Sequence, residues 1–467
     1  MPPLIELPFN ITIDLSVWSM ILTLPTLQLI RVIFAIAGWA ALALVIFWVG
    51  AHLWHELREE INVHHWQWVV LAVDVPPDTI QSPKAVEQIF AHLSGALEQP
   101  GFVDKYWGGA KQKGFSLEVI SLEGYIQFLI YTEVAHRDLV EAAIYAQYPM
   151  AEITEVEDYT SMIPDKYPND THNMTGIEFG LAAPEAFPIR NYDEFEHNFA
   201  KDVTFADPMA SILENFTRIG PGENLWLQIV IEPAPDSWKE HGIEVVKGLI
   251  TGGGHHGGEQ FFLFKWINFV LDGIIHAIIP PHEGEHGAHE EHKEGKISDL
   301  SPGARDNVKA VEEKISKVGF KSKMRVLYAA PKAVFNPGRC ISGLIGSINQ
   351  FNYTGRNALV PAGSASNGKT SKKNKAATSF VKAFKKRKLK MGKPPYVLNV
   401  EELATIWHFP IPLVKPPLLQ KTSTKRAEPP INLPVEMVAE SPLKRKSFAP
   451  PTPPKEEPPE PPELMWG

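Results

Sequence analysis

Residues 32–51 read VIFAIAGWAALALVIFWVGA, a stretch of 20 residues without a charge. A helix of this length crosses a hydrocarbon core of ~30 Å. The segment has no polar stripe, whereas a buried core helix of this length should carry one. A signal peptide would have a shorter apolar core and a small-residue cleavage site, but here the bulky residues 52–55 (HLWH) follow. The sequence therefore predicts a membrane-spanning helix over residues 32–55.

Composition bounds the remainder of the 467-residue chain, whose length is typical of two to three domains. The only cysteine, Cys340, excludes a disulfide framework and any cysteine-based zinc or iron–sulfur site. Residues 369–393 contain 11 Lys or Arg and no acid, and the remaining 34 basic and 54 acidic residues leave a charge of −20 elsewhere. Because polybasic segments are drawn to the anionic cytoplasmic leaflet, this belt favours a cytoplasmic body.

The first 31 residues contain a second apolar run, residues 11–30, which Asp14 and Pro25 interrupt. Such a run is more typical of an amphipathic lead-in at the membrane interface than of a second span. We therefore expect an interfacial segment over residues 1–31. The expected protein is a single-pass component of the cytoplasmic (inner) membrane.

Residues 64–160 have the hydrophobic pattern of a first globular module. The predicted elements are a strand at 67–75, a helix at 84–97, strands at 115–119 and 125–132, a helix at 137–147 and a strand at 152–156. This β-α-β-β-α-β order is that of a ferredoxin-like module.

Residues 170–410 repeat this order, with an insertion at 236–303 and a basic Gly/Ser/Lys loop at 361–394. The predicted elements are a strand at 177–181, a helix at 209–218, strands at 225–231 and 325–329, a helix at 332–348 and a strand at 396–400. The predicted fold class is α+β, with a transmembrane helix followed by two tandem ferredoxin-like modules. Residues 411–467 form a Pro-rich tail, expected to be disordered.

The insertion contains residues 261–279, FFLFKWINFVLDGIIHAII, an unusually apolar helical pattern. Its polar residues recur every three or four positions and so share one narrow stripe. We expect this helix to lie in or on the membrane or against a partner, with an ordinary core helix as the alternative. The candidate contact residues are Lys265, Trp266, Asn268, Asp272 and His276.

Histidines follow this segment at helical spacing and could hold zinc or nickel on one face. They are His282, His286, His289 and His292. Because His-rich tracts bind metals opportunistically, the favoured interpretation is a flexible polar loop, and we assign no metal.

The segment GSASNGKT, residues 363–370, fits the phosphate-loop formula. Its candidate contacts would be Gly363, Gly368, Lys369 and Thr370. A working phosphate loop needs a buried strand before it, a helix after it and a later acidic strand end for magnesium. The sequence favours a Gly/Ser linker entering a basic segment, and we assign no cofactor.

Residues 378–390, TSFVKAFKKRKLK, form a basic amphipathic pattern. It suits an anionic lipid surface or nucleic-acid phosphates, and a solvated charged loop is the alternative. The candidate contacts are Lys382, Lys385, Lys386, Arg387, Lys388 and Lys390. Asn399, with Glu402 three residues later, then predicts a capped short helix.

Several passages resemble a bacterial membrane protein family linked to type IV secretion, over roughly residues 60–415. They are SLEVISLEGYIQFLIYT, LVEAAIYAQYPMAEITEVEDYT, FPIRNYDEF, GENLWLQIVIEPAPDSWKEHG and LNVEELATIWHFP. In longer members this region precedes a RecA-like motor, as in type IV coupling proteins of conjugation. Here a Pro-rich tail follows instead, so the resemblance implies no ATPase role and no catalytic residue.

The leading hypothesis is a non-enzymatic, membrane-anchored component of a type IV secretion or conjugation-like apparatus for DNA or protein transfer. Its modules would dock a partner motor ATPase or assemble as a ring, and residues 369–393 would touch anionic lipid or nucleic acid. Two alternatives stay open: an ATPase that uses the GSASNGKT loop, and a His-rich metal-binding membrane protein.

Overall fold

The computed structural model describes residues 4–7, 11–14, 25–76, 79, 81–199, 202–205, 207–251 and 300–410. The chain divides into two units. The first comprises Met1–Trp66 and Glu98–Gln112, and the second comprises Gln67–Leu97 and Lys113–Gly467. The fold combines helices with an antiparallel sheet and has one apolar N-terminal helix.

The described α-helices are α1 (Thr26–His64), α2 (Pro83–Leu93), α3 (Phe102–Tyr106), α4 (Arg137–Gln147), α5 (Pro208–Thr217), α6 (Ser237–Thr251), α7 (Pro302–Ser316), α8 (Ile341–Ile348), α9 (Ser371–Lys385) and α10 (Val400–Ile406). The described strands are β1 (Leu4–Leu7), β2 (Ile11–Asp14), β3 (Trp68–Asp74), β4 (Phe115–Leu122), β5 (Tyr125–Glu133), β6 (Glu152–Val156), β7 (His172–Leu181), β8 (Glu196–Phe199), β9 (Asp202–Phe205), β10 (Asn224–Pro233), β11 (Gly319–Pro331), β12 (Leu359–Ser366) and β13 (Tyr396–Asn399).

The first unit is built on α1, which extends beyond the predicted span of residues 32–55 at both ends. Near its end, the Trp54 Nε1 donates to the Tyr106 carbonyl oxygen at 3.2 Å, and Asn62 Nδ2 donates to that of Gly108 at 3.2 Å. The described parts of the predicted lead-in, β1 and β2, pair as an antiparallel ladder. Their position at a membrane interface stays a prediction.

The second unit is organised around a nine-stranded sheet in the order β12-β7-β11-β10-β4-β5-β3-β6, with β13 paired to β11. Every pairing in it is antiparallel. β3 to β6 take the order β4-β5-β3-β6, while β7, β10, β11 and β12 take the order β12-β7-β11-β10. The two halves are therefore mirror images in strand order, joined where β10 pairs with β4.

The strand predicted at 396–400 is present as β13 (Tyr396–Asn399), but it does not take the last position of the second half. The sequence pattern favoured a strand at 396–400, but β12 pairs with β7 at the sheet edge, while β13 pairs only with the start of β11. β12 reads LVPAGSAS, whose proline and glycine disfavour a central strand but are tolerated at an edge. The register shifts between Pro361 and Gly363, where Pro interrupts the ladder.

One face of the sheet is apolar and is covered by α2, α4, α5, α8 and α10. At its centre the Trp407 ring lies 6.1 Å from that of Phe90 and 5.8 Å from that of Phe128. All three side chains are buried. The apolar stripes of these amphipathic helices thus form one continuous core with the sheet.

The opposite face is covered by α9, which corrects the predicted basic loop at 361–394. Val381 and Phe384 are buried against this face together with Trp226, whose ring lies 5.9 Å from that of Phe384. The apolar side of the basic amphipathic pattern therefore belongs to the core, because the sheet needs a cover on both faces.

The predicted insertion begins and ends in helices α6 and α7, which pack together through Val245, Val246, Val308 and Val311. Residues 252–299 between them, including the predicted helix at 261–279, lie outside the described residues. So does the predicted disordered tail at 411–467.

Candidate functional site

A row of polar side chains crosses the α9-covered face of the sheet. The strand register places Glu178 opposite Arg325, Arg325 opposite Gln228, and Gln228 opposite Glu118. Directly paired residues project from the same face, so the four side chains lie side by side across four strands. All four are buried. With Lys323, Arg387 and Asp158, their charged members form what we term the charged band.

Arg387 completes one end of the charged band. Its guanidinium donates to Glu118 through Nε at 3.0 Å and Nη2 at 3.2 Å, and to Asp158 through Nη1 at 2.5 Å. It also lies 4.0 Å from the centre of the Tyr131 ring. Burial alone would lower the pKa of Arg387, but the Glu118 and Asp158 carboxylates raise it well above its ordinary value. The planar donor fork of arginine suits this paired recognition.

The backbone of Arg387 adopts a strained conformation. Its φ of 46° lies in the left-handed region, where glycine usually ends a helix. The amides of Arg387 and Lys388 donate to the carbonyl oxygens of Phe384 and Ala383, which completes the glycine-type helix ending of α9. An arginine in this position costs ~1 kcal/mol in backbone energy. The side chain, with its two carboxylate partners, explains why the position holds arginine.

The other end of the charged band binds the backbone of the segment that follows α9. Arg325 Nη2 donates to the carbonyl oxygens of Lys388 at 2.7 Å and Met391 at 2.6 Å, and Lys323 Nζ donates to that of Met391 at 2.9 Å. Glu178 lies 3.2 Å from Lys323 Nζ and accepts from the Lys393 amide at 3.1 Å. Burial, opposed by Glu178, lowers the pKa of Arg325 to about 10. Arg325 therefore stays charged at neutral pH.

A cleft of about 400 Å³ opens between α9, β12 and the chain at Gly392. Its polar lining comes from Glu178, Ser364, Ser379 and Lys393. The Glu178 carboxylate in it is already engaged by Lys323 and by the Lys393 amide. The cleft therefore offers hydroxyl groups and an ammonium group but no free catalytic pair among the described residues.

The predicted lipid or nucleic-acid contacts divide between surface and core. Lys382, Lys386, Lys388 and Lys390 are exposed. The prediction was wrong for Arg387, which is buried in the charged band, and Lys385 is partly buried, with Nζ bound to Asp165 and to the Ile163 carbonyl oxygen. An exposed lysine surface nevertheless runs along α9 and continues beyond it.

The GSASNGKT segment has the geometry of a strand, a tight loop and a helix start. Gly363 to Ser366 are extended in β12, and Thr370 is the N-cap residue of α9. Asn367 accepts from the Met174 amide at 2.8 Å, and Asn374 accepts from the Gly368 amide at 2.9 Å. A phosphate loop instead curls its backbone amides around the anion. The predicted linker was wrong for residues 363–366, which belong to the edge strand β12, whereas residues 367–370 form the loop that leads into α9.

The remaining predicted sites lie outside the described residues. These are the histidines His282, His286, His289 and His292, and the helix residues Lys265, Trp266, Asn268, Asp272 and His276. Among the residues that the structure describes, no group of three His, Cys, Asp or Glu is arranged to hold a metal ion.

The apolar helix α1 is the other functional feature. Over Ala37–His64 it is long and apolar enough to cross a membrane, and its most apolar window has no buried residues. Trp39, Phe47 and Trp48 are exposed by 72 %, 75 % and 69 %. Such a surface is unfavourable in water and suits a lipid environment.

These observations define an α+β protein whose described residues include a helix able to span a membrane and a large antiparallel sheet covered on both faces. The chain belongs to the family described as "Domain of unknown function (DUF8128)", whose model matches residues 112–416. The match includes the whole charged band and the joint between the two halves of the sheet. No curated protein matches the chain.

Sequence reasoning missed the charged band apart from Arg387. Glu118, Glu178, Lys323 and Arg325 are charges at inward positions of strands. Buried apolar residues two positions away, such as Ile120 beside Glu118 and Leu327 beside Arg325, are the signal in the sequence. This sequence signal identifies a buried charged residue but does not identify the residue that pairs with it.

Proposed function

We propose that this chain is a non-enzymatic, membrane-anchored component of a type IV secretion or conjugation-like apparatus that docks a motor ATPase supplied by another chain. The observation that carries the proposal is α1. Its most apolar window has no buried residues, and β3 of the large second unit begins at Trp68, only a few residues after the helix ends at His64. A body tethered this closely suits a docking role at a membrane. The proposed location is the cytoplasmic membrane, with the body on the cytoplasmic side.

The sheet supports the finer proposal of two ferredoxin-like modules. In the first half, β3-α2-β4-β5-α4-β6 has the expected element order, and β3 lies between β5 and β6. In the second half the same positions are taken by β7, α5, β10, β11, α8 and β12, so β12 replaces the strand predicted at 396–400. Ferredoxin-like modules host many unrelated functions, so the fold indicates docking surfaces rather than chemistry.

The geometry of GSASNGKT favours docking over the ATPase alternative. Ser364 to Ser366 pair with Ile177 to Thr175 of β7, which keeps this backbone extended. The Gly368 amide is bound by Asn374 of the same chain. Nucleotide binding would require this sheet edge to unpair, so the motor activity is better assigned to a partner.

The test is purification of the tagged full chain from detergent-solubilised membranes, with co-purifying proteins identified by mass spectrometry and ATP binding measured on the same sample. We expect carbonate-washed membranes to retain the chain, a motor ATPase to co-purify, and the isolated chain to bind no nucleotide. ATP binding that is lost in Lys369→Ala but kept in the control Lys332→Ala, another exposed lysine, would overturn the proposal.

The metal-binding alternative has a separate test, because its histidines lie outside the described residues. Stoichiometric zinc binding that disappears on deletion of residues 255–292 would favour it over docking. We expect substoichiometric zinc and unchanged ATPase co-purification instead.

A further inference from the structure

Four lysines form a straight row on the outer side of α9. Lys372, Lys375, Lys382 and Lys386 are exposed, and their spacings of three, seven and four residues place them on one helical face. Ser379, also exposed, occupies the gap between the second and third lysine. The row spans ~21 Å at the rise of an α-helix. We term these residues the lysine row.

The lysine row is held in a fixed orientation by the opposite side of the same helix. Ala377, Val381 and Phe384 are buried against the sheet, and α9 ends in the bidentate contact of Arg387 with Glu118. The row is therefore a rigid surface rather than a flexible basic tail. A rigid surface loses less side-chain and backbone entropy when it binds.

The acidic side chains that contact α9 and the residues after it pair with residues outside the lysine row, so they do not neutralise its positive charge. Residues 369–395 contain no Asp or Glu. Asp165 binds Lys385, and Asp158 and Glu118 bind Arg387, neither of which belongs to the row. The outer face thus carries four positive charges within ~21 Å, which complements an extended anionic surface.

The residue types in and around the lysine row favour a lipid surface over nucleic acid as its partner. Nucleic-acid sites typically add arginine forks and exposed aromatic rings that stack on bases. In this segment the aromatic residues Phe380 and Phe384 and the only arginine, Arg387, are all buried. Lysine ammonium groups alone act as point charges, which suits the phosphates of a membrane surface.

We propose that the lysine row docks the body onto anionic phospholipid headgroups of the membrane in which the chain is anchored. This inference rests on the anchoring part of the proposed function. A tether raises the effective concentration of the membrane surface, so even a weak electrostatic contact forms. Each lysine contributes about fivefold to such binding at low salt.

The test uses the full chain with Ser379→Cys as a fluorophore site. Cys340, the only native cysteine, is buried and its pKa is raised to about 11, so labelling selects the new thiol. The labelled chain is reconstituted in phosphatidylcholine vesicles with or without phosphatidylglycerol. A quencher attached to lipid headgroups then reports the contact of α9 with the membrane.

We expect strong quenching only with phosphatidylglycerol, lost at high salt because exposed charges are screened. Replacing the four row lysines with Gln should weaken the membrane contact at low salt by about two to three orders of magnitude. The matched control replaces Lys84, Lys309, Lys321 and Lys332, which are exposed elsewhere, and should keep it. Glutamine has a helix propensity close to that of lysine, so α9 should be retained in the variant. Unchanged intrinsic Trp fluorescence would confirm that the variant is folded.

Equal quenching in both vesicle types, or equal loss in the control variant, would overturn the lipid contact. Duplex DNA that binds the chain in neutral vesicles through the row, without headgroup quenching, would also overturn it and assign the row to nucleic acid. Failure of the docking function would be seen separately, as release of the chain by carbonate or absence of a co-purifying ATPase.

Discussion

Replacing Arg387 with Met should destabilise the second unit more than an ordinary surface change. The guanidinium is 3 % exposed and bonds to Glu118, whose side chain is fully buried. Removing it leaves the Glu118 carboxylate without its cation, and breaking a buried pair in this way costs about 3–5 kcal/mol. A body of this size loses about 2–4 °C in Tm per kcal/mol. Arg387→Gly should cost less than Arg387→Met, because glycine also relieves the left-handed backbone.

A double-mutant cycle isolates the pair. Glu118→Gln removes the charge and still accepts hydrogen bonds from Ser116 and Gln228, so we expect Arg387→Met with Glu118→Gln to unfold no more easily than Arg387→Met alone. The coupling should reach about 2–3 kcal/mol. Denaturant titration of the detergent-solubilised full chain, followed by Trp fluorescence, measures it, since Trp226 packs on Phe384 of α9. Additive losses within about 0.5 kcal/mol would refute the reasoning.

Three further predictions concern the same face of the sheet. Gly176→Ala should destabilise α9 by about 1–3 kcal/mol because the added Cβ would overlap the Phe380 ring. In the same denaturation assay Gly346→Ala, whose Cβ meets open space inside helix α8, should stabilise the chain by about 0.5–1 kcal/mol. Burial raises the pKa of Asp158, but its arginine partner outweighs this and lowers it below 3.8. The ionised Asp158 therefore stabilises the fold above pH ~4, and this contribution is lost as the pH falls through the lowered pKa. Tm should decrease over that acidic range, and Asp158→Asn should reduce this pH dependence. The native chain should react with a thiol reagent only after denaturation, because burial raises the pKa of Cys340 to about 11; rapid native labelling would contradict its placement.

Local signals in the sequence predicted local structure well. The Asn399 side chain accepts from the Glu402 amide and Glu402 accepts from the Asn399 amide, which confirms the predicted capping box. Asp207 accepts from the Met209 amide and caps α5, the helix that the sequence predicted at 209–218. Such caps depend on residues a few positions apart, so pattern and structure agree.

Long-range pairing could not be predicted in the same way. The side chains of Glu118 and Arg387 are 269 positions apart in the chain, and no periodicity links them. The edge strand β12 was missed for a related reason, since its Pro361, Gly363 and serines are individually poor strand residues. Its pairing with β7 follows from tertiary context that overrides local propensity.

The charged band explains how a basic segment can be both part of the core and a binding surface. Its three acids and three cations balance in charge, which allows it to lie under α9 without excess buried charge. These are Glu118, Asp158 and Glu178, and Arg387, Arg325 and Lys323. Because the band is neutral, the positive charge of residues 369–393 is left on the outer side of α9 and in the chain after it. A hydrophobic replacement of a buried ion pair is often as stable, so we interpret the band as a device that fixes the orientation of α9 rather than one that maximises stability. Neutralising the row should then change membrane contact without changing unfolding, whereas breaking the Arg387–Glu118 pair should change both, and that difference separates the two roles experimentally.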